Sequence, residues 1–156
     1  MEISEAFFQR TLATKDDIED ILPLQSQIYR VKNLPANARE ILEELIAADY
    51  ADVLVAKVDG KVVGTGVVFY LKIPAHGAYY AYLEGIVVDE KHRAKGIGTA
   101  LSKKVIELAR AKKCYKVIFI SGMDRADIHK FYENLGFKKW GYEFRMDLPA
   151  GEAGLE

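Results

Sequence analysis

Hydrophobic side chains recur along this chain at two spacings, and the spacing distinguishes segments that fold as strands from segments that fold as helices. Six segments alternate apolar and polar residues or form short β-branched runs, which predicts strands. These segments are Phe7–Ala13, Val53–Val58, Lys61–Leu71, Tyr79–Val88, Lys116–Ile120 and Trp140–Leu148. Four segments have helical spacing or helix-capping residues, which predicts helices. They run from Thr14 to about Tyr29, over Ala38–Ala48, from Gly98 to Lys112 and over Asp124–Leu135.

Turn and cap residues separate these segments. Asp59-Gly60 lies between two β-rich runs and predicts a two-residue hairpin. Thr14 is expected to cap the first helix, and Gly136 is expected to stop the last one. The predicted order is β-α-α-β-β-β-α-β-α-β, which is an α/β chain with one mixed sheet and helices on both of its faces.

Length and composition narrow the class of protein. With 156 residues, 50% of them hydrophobic and 29% charged, the chain is expected to form one domain over 1–156, with 149–156 as a loose tail. A formal net charge of -1 argues against a general nucleic-acid binder. No apolar run approaches the ~20 residues of a membrane span, and the acidic N-terminus is unlike a signal peptide, so a cytoplasmic location is expected.

The segment Val87–Thr99 ends a predicted strand, passes through a basic turn and opens a helix with Gly96 and Gly98. Unpaired N–H groups and the positive end of the helix dipole bind anions at such a junction. Glycine lets the backbone come close to a phosphate, because it has no Cβ. The turn also carries four basic residues, which are Lys91, His92, Arg93 and Lys95. We therefore expect a ligand with a pyrophosphate or similar group.

Three phosphate-binding motifs are candidates for this loop. A dinucleotide fingerprint, G-x-G-x-x-G, requires glycine at position 101, where the chain has Leu101. No window fits the P-loop pattern G-x-x-x-x-G-K-[ST]. The third pattern, R/Q-x-x-G-x-G/A, is met by Arg93–Gly98. The alternative is a helix with a glycine-rich start that binds no ligand.

Two further motifs accompany Arg93–Gly98. With Tyr82–Val88 before it and Lys130–Phe137 after it, the chain resembles the GNAT family of N-acetyltransferases, and the matching motifs span about Leu83–Phe137. The resemblance implies a single-domain, mixed, mostly antiparallel sheet of six to seven strands flanked by about four helices. It also implies acetyl-CoA as the cofactor. The expected contacts are the pantetheine arm with Ile86, Val87 and Val88, where the sheet splays open, and the pyrophosphate with the N–H groups of Arg93, Ala94, Lys95, Gly96, Ile97, Gly98 and Thr99.

One position departs from the family pattern. Many members carry an asparagine near the start of the second motif's helix, where this chain has Asp124-Arg125-Ala126-Asp127. Whether this helix contacts the pantetheine arm is therefore left open.

Acetyl transfer to an amine needs a base for the ammonium proton, donors for the oxyanion and an acid for the leaving thiolate. Glu84 is the candidate base, because an apolar strand would desolvate its carboxylate and related enzymes often have a glutamate here. Its alternative is a carboxylate paired with a basic neighbour or exposed on one sheet face. Tyr132 is the candidate acid, since a phenol with a pKa of ~10 can protonate a thiolate whose thiol has a pKa of ~8.5. Its alternative is a packed aromatic residue.

Other reactive side chains suit this chemistry less well. The single cysteine, Cys114, excludes an internal disulfide, and no histidine lies near it in the sequence to activate it as a nucleophile. His76 and His129 are isolated, and no residues have metal-ligand spacing, so no metal is expected.

The expected function is acetyl-CoA-dependent transfer of an acetyl group to a primary amine, by direct attack in a ternary complex. A small-molecule amine, such as an amino sugar phosphate or a polyamine, is favoured. The reason is that Glu84–Val88 and Cys114–Ile118 are similar to glucosamine-6-phosphate N-acetyltransferases. The alternatives are a protein N-terminal or lysine acetyltransferase and a catalytically silent CoA-binding sensor. No nucleic-acid or membrane partner is expected, and a homodimer is an expectation at family level only.

Overall fold

The computed structural model of this chain describes residues 9–28 and 31–148. The chain divides into two compact units, Met1–Ile118 and Phe119–Glu156, each with its own elements. The expected tail at 149–156 lies outside the described residues, and a single domain over the whole chain stays a prediction.

The first unit contains a five-stranded sheet. Its strands are β1 (Gln9–Leu12), β2 (Ala51–Val58), β3 (Lys61–Ile73), β4 (Ala78–Val88) and β5 (Val117–Ile118). They lie in the order β1-β2-β3-β4-β5, in which the first three pairs are antiparallel and the last is parallel. The mixed, mostly antiparallel sheet is therefore confirmed. The expected number of six to seven strands is wrong for the described part of the chain, which has five.

The hairpin between β2 and β3 is confirmed. Its turn residues, Asp59 and Gly60, have φ angles of 51° and 77°. Positive φ at both positions gives the two-residue turn whose twist matches that of the flanking strands.

Three α-helices belong to the first unit: α1 (Ile18–Gln25), α2 (Ala38–Ala47) and α3 (Ile97–Ala111). A 3-10 turn over Lys15–Asp17 precedes α1, so the first helix is shorter than predicted, and Tyr29 lies outside the described residues. Thr14 is the N-cap of this 3-10 turn and not of α1, and it forms a capping box with Asp17, whose Oδ2 accepts the Thr14 N–H at 2.8 Å. No helix in the described part of the chain is long and apolar enough to cross a membrane.

These helices pack on opposite faces of the sheet. The buried cluster under α1 and α2 consists of Ile18, Ile21, Leu24, Leu42, Val53, Val55, Val62 and Val87. On the other face, a Cβ placed on Gly64 would lie 3.1 Å from side-chain atoms of both Ile97 and Leu101. Glycine at position 64 therefore lets the start of α3 come close to β3. This packing fixes where the helix begins relative to the sheet.

The second unit contains α4 (Ala126–Asn134), and Gly136, with φ of 103°, follows its last turn as predicted. The predicted strand Trp140–Leu148 is wrong, since this segment forms no strand and Trp140 and Phe144 are 91% and 95% exposed. Alternating apolar residues determine which side chains share a face. A strand also needs a hydrogen-bonded partner, which the pattern does not supply.

The fifth strand is shorter and less buried than predicted. The apolar run Lys116–Ile120 suggested a strand covered on both faces, but only Val117–Ile118 is a strand and both of its residues are half-buried. Ile120 is exposed. A short apolar run shows that a segment can pack against other residues, but it does not show how much of that segment is covered.

Candidate active site

A β-bulge interrupts β4 at the centre of the predicted site. Glu84 pairs with Val67 of β3, and Val87 pairs with Thr65, so two residues of β4 stand opposite the single residue Gly66. Gly85 takes a φ of 60°, a left-handed conformation that favours glycine. A Cβ on Gly66 would lie only 2.8 Å from Ile86 Cγ1, so the strand opposite the bulge also needs glycine. A glycine inside a strand often marks a bulge, and this signal was available in the sequence.

Glu84 lies on the face of the sheet that α1 and α2 cover. Val53, Val67 and Glu84 are register partners across β2, β3 and β4, so their side chains form one cross-strand row. The side chain of Glu84 is exposed at the end of this row. The expectation that apolar neighbours would desolvate its carboxylate is therefore wrong, because the side chain remains exposed to solvent.

The edge of β4 that faces away from β3 is open beyond its first half, in the sense that no strand of the described residues pairs with it there. The described pairing with β5 ends at Tyr82 and Ile118, whereas β4 continues to Val88. The N–H of Asp89 donates to Val63 O at 2.8 Å, and alternation then directs the N–H and C=O of Val88 to the opposite edge. Arg93 Nε donates to Val88 O at 3.0 Å. The N–H of Val88 thus faces this edge, where a pantetheine arm was predicted, while its carbonyl already accepts the hydrogen bond from Arg93.

The turn between β4 and α3 has the geometry of an anion site. After a 3-10 turn at Glu90–His92, the backbone takes left-handed conformations at Ala94, with φ of 61°, and at Gly96, with φ of 85°. The N–H of Ala100 makes the first bond of α3, to Gly96 O at 3.0 Å. The N–H groups at positions 97–99 precede that bond and have no acceptor inside the helix. No acidic residue lies in the first turn, so the positive end of the helix dipole is not neutralised there.

The basic residues of this turn are not equivalent. Arg93 is exposed and bonded to the strand, as described above. His92 Nδ1 lies 3.1 Å from Asp89 Oδ2, so this ring is held against a carboxylate. Lys91 is exposed and Lys95 is half-buried. The predicted collection of positive charge therefore consists chiefly of the two lysines and Arg93.

A glutamine in the turn that follows α1 holds the start of the turn before α3, and no sequence motif indicates it. Gln27 Nε2 donates to Asp89 Oδ1 at 3.1 Å, and the N–H of Glu90 donates to Gln27 Oε1 at 3.0 Å. The hydrogen bond from Gln27, with that from His92, lowers the pKa of Asp89 below its usual value. Gln27 lies 62 positions before Asp89, so only the folded chain brings them together.

An apolar cavity of about 250 Å³ lies between α1, α2 and the sheet. Its floor is formed by Val53, Thr65 and Val67, and the segment between α1 and α2 contributes part of its wall. Ile28, which follows α1, also lines it, and a Cβ on Gly85 would lie 3.5 Å from Ile28 Cδ1. The cavity therefore extends along the row that ends at Glu84, beside the bulge.

Tyr132 belongs to the second unit, where it lies in α4. Its ring is 4.0 Å from that of Phe119, 5.0 Å from that of Phe131 and 5.7 Å from that of Phe137, measured between centroids. The residue is half-buried within this aromatic cluster. Its position relative to a thioester stays a prediction. Because α4 begins at Ala126, Asp124 precedes the helix, and the question of a pantetheine contact there is untested.

The remaining reactive side chains are engaged in ordinary contacts. Burial raises the pKa of the Cys114 thiol, which disfavours the nucleophilic thiolate. His76 stacks on Tyr115 with ring centroids 4.3 Å apart. His129 Nε2 lies 2.8 Å from Gly122 O. None of the three was assigned a role from the sequence, and these contacts give no reason to assign one.

Comparison with known protein families places this arrangement among acetyltransferases. The family model described as the acetyltransferase (GNAT) family matches residues 18–137. That range contains Glu84, the turn before α3 and Tyr132.

Two curated proteins and one solved structure illustrate the similarity. A glucosamine 6-phosphate N-acetyltransferase of Trypanosoma brucei brucei is 36% identical over 90 residues, which are 57% of this chain and 59% of that protein. N-acetyltransferase family 8 member 2 of Rattus norvegicus is 29% identical over 116 residues, 74% of this chain and 51% of that protein. An acetyltransferase structure from Trypanosoma brucei, 26% identical, has a TM-score of 0.76 and covers 90% of this chain and 99% of that chain. The chain thus spans between half and three-fifths of the length of these two curated relatives.

Proposed function

Because this chain belongs to the acetyltransferase (GNAT) family, we propose that it transfers the acetyl group of acetyl-CoA to a primary amine by direct attack in a ternary complex. The observation that carries the proposal is the junction of β4 and α3. There, left-handed residues at 94 and 96 precede the start of α3, whose first N–H groups have no acceptor inside the helix. A pyrophosphate at α3 and an amide-bearing arm along β4 both suit these groups.

In this proposal the cofactor contacts come from three adjacent stretches. The N–H groups from Arg93 to Thr99 hold the pyrophosphate, and Arg93 and Lys95 supply positive charge. The peptide groups of Ile86–Val88 accept and donate hydrogen bonds along the open edge. Acetyl-CoA supplies the thioester, and this chain supplies the orientation.

In this proposal Glu84 acts as the general base for the amine, and Tyr132 acts as the general acid for the leaving thiolate. Glu84 takes a proton from the ammonium group, directly or through a water molecule, so that the neutral nitrogen attacks the thioester carbonyl. An exposed carboxylate beside an open strand edge suits a group that must meet an incoming cation. As the C–S bond breaks, Tyr132 gives its phenolic proton to the leaving thiolate.

We propose a small molecule as the acceptor. The named relatives include a glucosamine 6-phosphate N-acetyltransferase, and a cavity of about 250 Å³ beside Glu84 is of a size for a small group. A protein N-terminus or lysine is the alternative acceptor. A catalytically silent CoA sensor is the alternative class, and the presence of both Glu84 and Tyr132 argues against it.

Release of free thiol from acetyl-CoA tests the proposal. The purified chain is incubated with acetyl-CoA and a panel of amines that includes sugar phosphates, polyamines, simple alkylamines and lysine or N-terminal peptides. Amine-dependent thiol release with a small molecule supports the proposal. Turnover confined to peptides would establish the alternative acceptor, and tight CoA binding without any turnover would establish the sensor.

A further inference from the structure

We infer that the cavity between α1, α2 and the sheet binds an apolar substituent of the acceptor, so that the preferred substrate is a primary amine carrying an alkyl or aryl group, not a phosphate. The inference rests on the proposed acetyl transfer and specifies the acceptor of that same site.

The described lining of the cavity carries no ionised side chain. Its polar members are Gln25, Asn37 and Thr65, and the hydroxyl of Thr65 already donates to Leu54 O at 2.8 Å. The other described lining residues are aliphatic or proline. Among the described lining residues a phosphate would lose its hydration without gaining a cationic partner, which is costly, whereas an apolar group gains from leaving water.

The mouth of the cavity is apolar as well. Val31, Leu34 and Ile41 line it, and they are 37%, 36% and 44% exposed although each is a large hydrophobic residue. Single exposed apolar residues are common on protein surfaces, but several that converge on one cavity mark a binding surface. An apolar substituent that enters between them would remove this surface from water.

The amino group of such a substrate reaches Glu84 along the sheet. Val53 and Val67 form the cavity floor, and Glu84 is the next residue in their cross-strand row. Directly opposed side chains in a sheet have their Cβ atoms ~5 Å apart. A molecule with its apolar part over Val67 therefore has its ammonium group within a few atoms of an exposed carboxylate. Apolar binding and charge pairing then fix one orientation.

The volume limits the substituent. Sites for drug-sized ligands measure roughly 300–1,000 Å³, and this cavity measures about 250 Å³. It suits a phenyl ring or a short branched alkyl chain. A long polyamine would instead place a second cation among aliphatic side chains, which is unfavourable.

Three amines distinguish these chemistries: 2-phenylethylamine, glucosamine 6-phosphate and spermidine, each assayed by thiol release from acetyl-CoA. We expect 2-phenylethylamine to have the highest kcat/KM. Ile41→Lys places a charge at the mouth on the exposed side of α2 and should raise the KM for 2-phenylethylamine ten-fold or more, ~1.4 kcal/mol, without changing the KM for acetyl-CoA. Leu71→Lys is the matched control, since Leu71 is 42% exposed on β3 and does not line the cavity.

The outcomes separate this inference from the proposed function. Preferred acetylation of glucosamine 6-phosphate or spermidine, unaffected by Ile41→Lys, overturns the apolar site and leaves the transferase intact. An equal effect of Ile41→Lys and Leu71→Lys on 2-phenylethylamine also overturns it. Calorimetric binding of 2-phenylethylamine that Ile41→Lys weakens, without acetylation of any amine, keeps the site and overturns the transferase.

Discussion

The carboxylate of Glu84 stands at the point where an apolar row of side chains meets an open strand edge, so its substitution should affect proton transfer more than folding. Glu84→Gln keeps the size of the side chain and removes its basicity. We expect kcat/KM to fall most near neutral pH, where an alkylamine with a pKa of ~10.4 is almost entirely protonated. The loss should shrink as rising pH delivers neutral amine without help from a base.

A pH profile of kcat/KM for the wild type and Glu84→Gln measures this effect, and Glu43→Gln, on the exposed surface of α2, serves as the control. A loss of the same size at every pH would mean that Glu84 positions the substrate and does not take its proton.

A substitution at Tyr132 can separate chemistry from packing, because the ring packs against its neighbours and the hydroxyl is the proposed proton donor. The ring packs against Phe119, Phe131 and Phe137, and Tyr132→Phe preserves it. We expect the melting temperature and CoA affinity to hold while kcat falls by roughly 10²–10⁴-fold, if protonation of the thiolate limits the rate. An acyl donor with a more acidic thiol should recover part of the loss.

Single-turnover kinetics with acetyl-CoA test this, with Tyr142→Phe as the control, since Tyr142 is exposed. Normal turnover by Tyr132→Phe, or a defect confined to CoA binding, would remove Tyr132 from the chemistry.

At this scale the sequence identified residue types better than their surroundings. Glu84 and Tyr132 could be singled out because local motifs contain them. The exposure of Glu84 could not be predicted, because it depends on the bulge and on the alignment of the strands. Gln27 carried no signal at all, since its partners, Asp89 and the N–H of Glu90, lie 62 and 63 positions away.

At the scale of elements, Gln27 joins the turn that follows α1 to the turn before α3. Gln27→Leu removes both of its hydrogen bonds to that turn. Each bond contributes about 0.5–1.5 kcal/mol, so the loss of both should raise the Kd for CoA by about 5- to 150-fold as the turn loses order. Because no reacting group is removed, kcat at saturating acetyl-CoA should change little.

Calorimetry of CoA binding and initial-rate kinetics measure the two quantities. Ser26→Ala is the neighbouring control, because Ser26 is exposed and its hydroxyl donates to Pro23 O within the same end of the helix. An unchanged Kd in Gln27→Leu would show that the turn holds its conformation without the Gln27 hydrogen bonds.

The 3-10 turn before α1 depends on a buried ion pair. Burial alone would raise the pKa of Asp17, but its hydrogen bond and ion pair with Lys57, at 2.8 Å, and the N–H of Thr14 outweigh burial and lower it. The folded pKa therefore lies below the ordinary value of 3.8. The stabilisation is complete above about pH 4 and is lost as the pH falls through the folded pKa.

Asp17→Asn removes this charge and should cost about 1–3 kcal/mol of unfolding free energy at pH 7. Denaturant melts at pH 7 and pH 3 measure the change. The difference between variant and wild type should be smaller at pH 3, and a constant difference would mean that the charge of Asp17 does not stabilise the fold.

Elements with a strong local pattern could be predicted from the sequence, and elements that depend on distant partners could not. The bounds of β3, β4 and α2 fall within two residues of those expected, because alternation and helical spacing act within each segment. Trp140–Leu148 has an equally clear alternation and forms no strand. Its pattern describes a face, whereas a strand also requires a partner.

At the scale of the whole molecule, cofactor binding should raise the melting temperature. A ligand present at 100 times its Kd stabilises the folded chain by ~2.7 kcal/mol, which for a chain of this size raises the melting temperature by about 5–11 °C. We expect this shift with CoA but not with equal concentrations of NAD or ATP. Gly98→Val should reduce the shift by placing a branched side chain in the phosphate path.

Thermal melts measure the shift directly. Gly141→Val is the matched control, because a Cβ at Gly141 would meet nothing within 4 Å. An undiminished CoA shift in a folded Gly98→Val variant would move the phosphate site away from α3.

The bulge divides β4 into two parts that differ in which alternate side chains face α1. Up to Glu84 the strand presents one set of residues to the α1 face. The extra residue at Gly85 shifts the phase, so that Val87 returns to that face instead of Ile86. Deleting Gly85 would do more than shorten the strand, because the side chains of one half of β4 would then point to the opposite face of the sheet. Evolution can therefore lengthen the loops around this sheet one residue at a time, whereas β4 can change length at its centre only if both glycines of the bulge change with it.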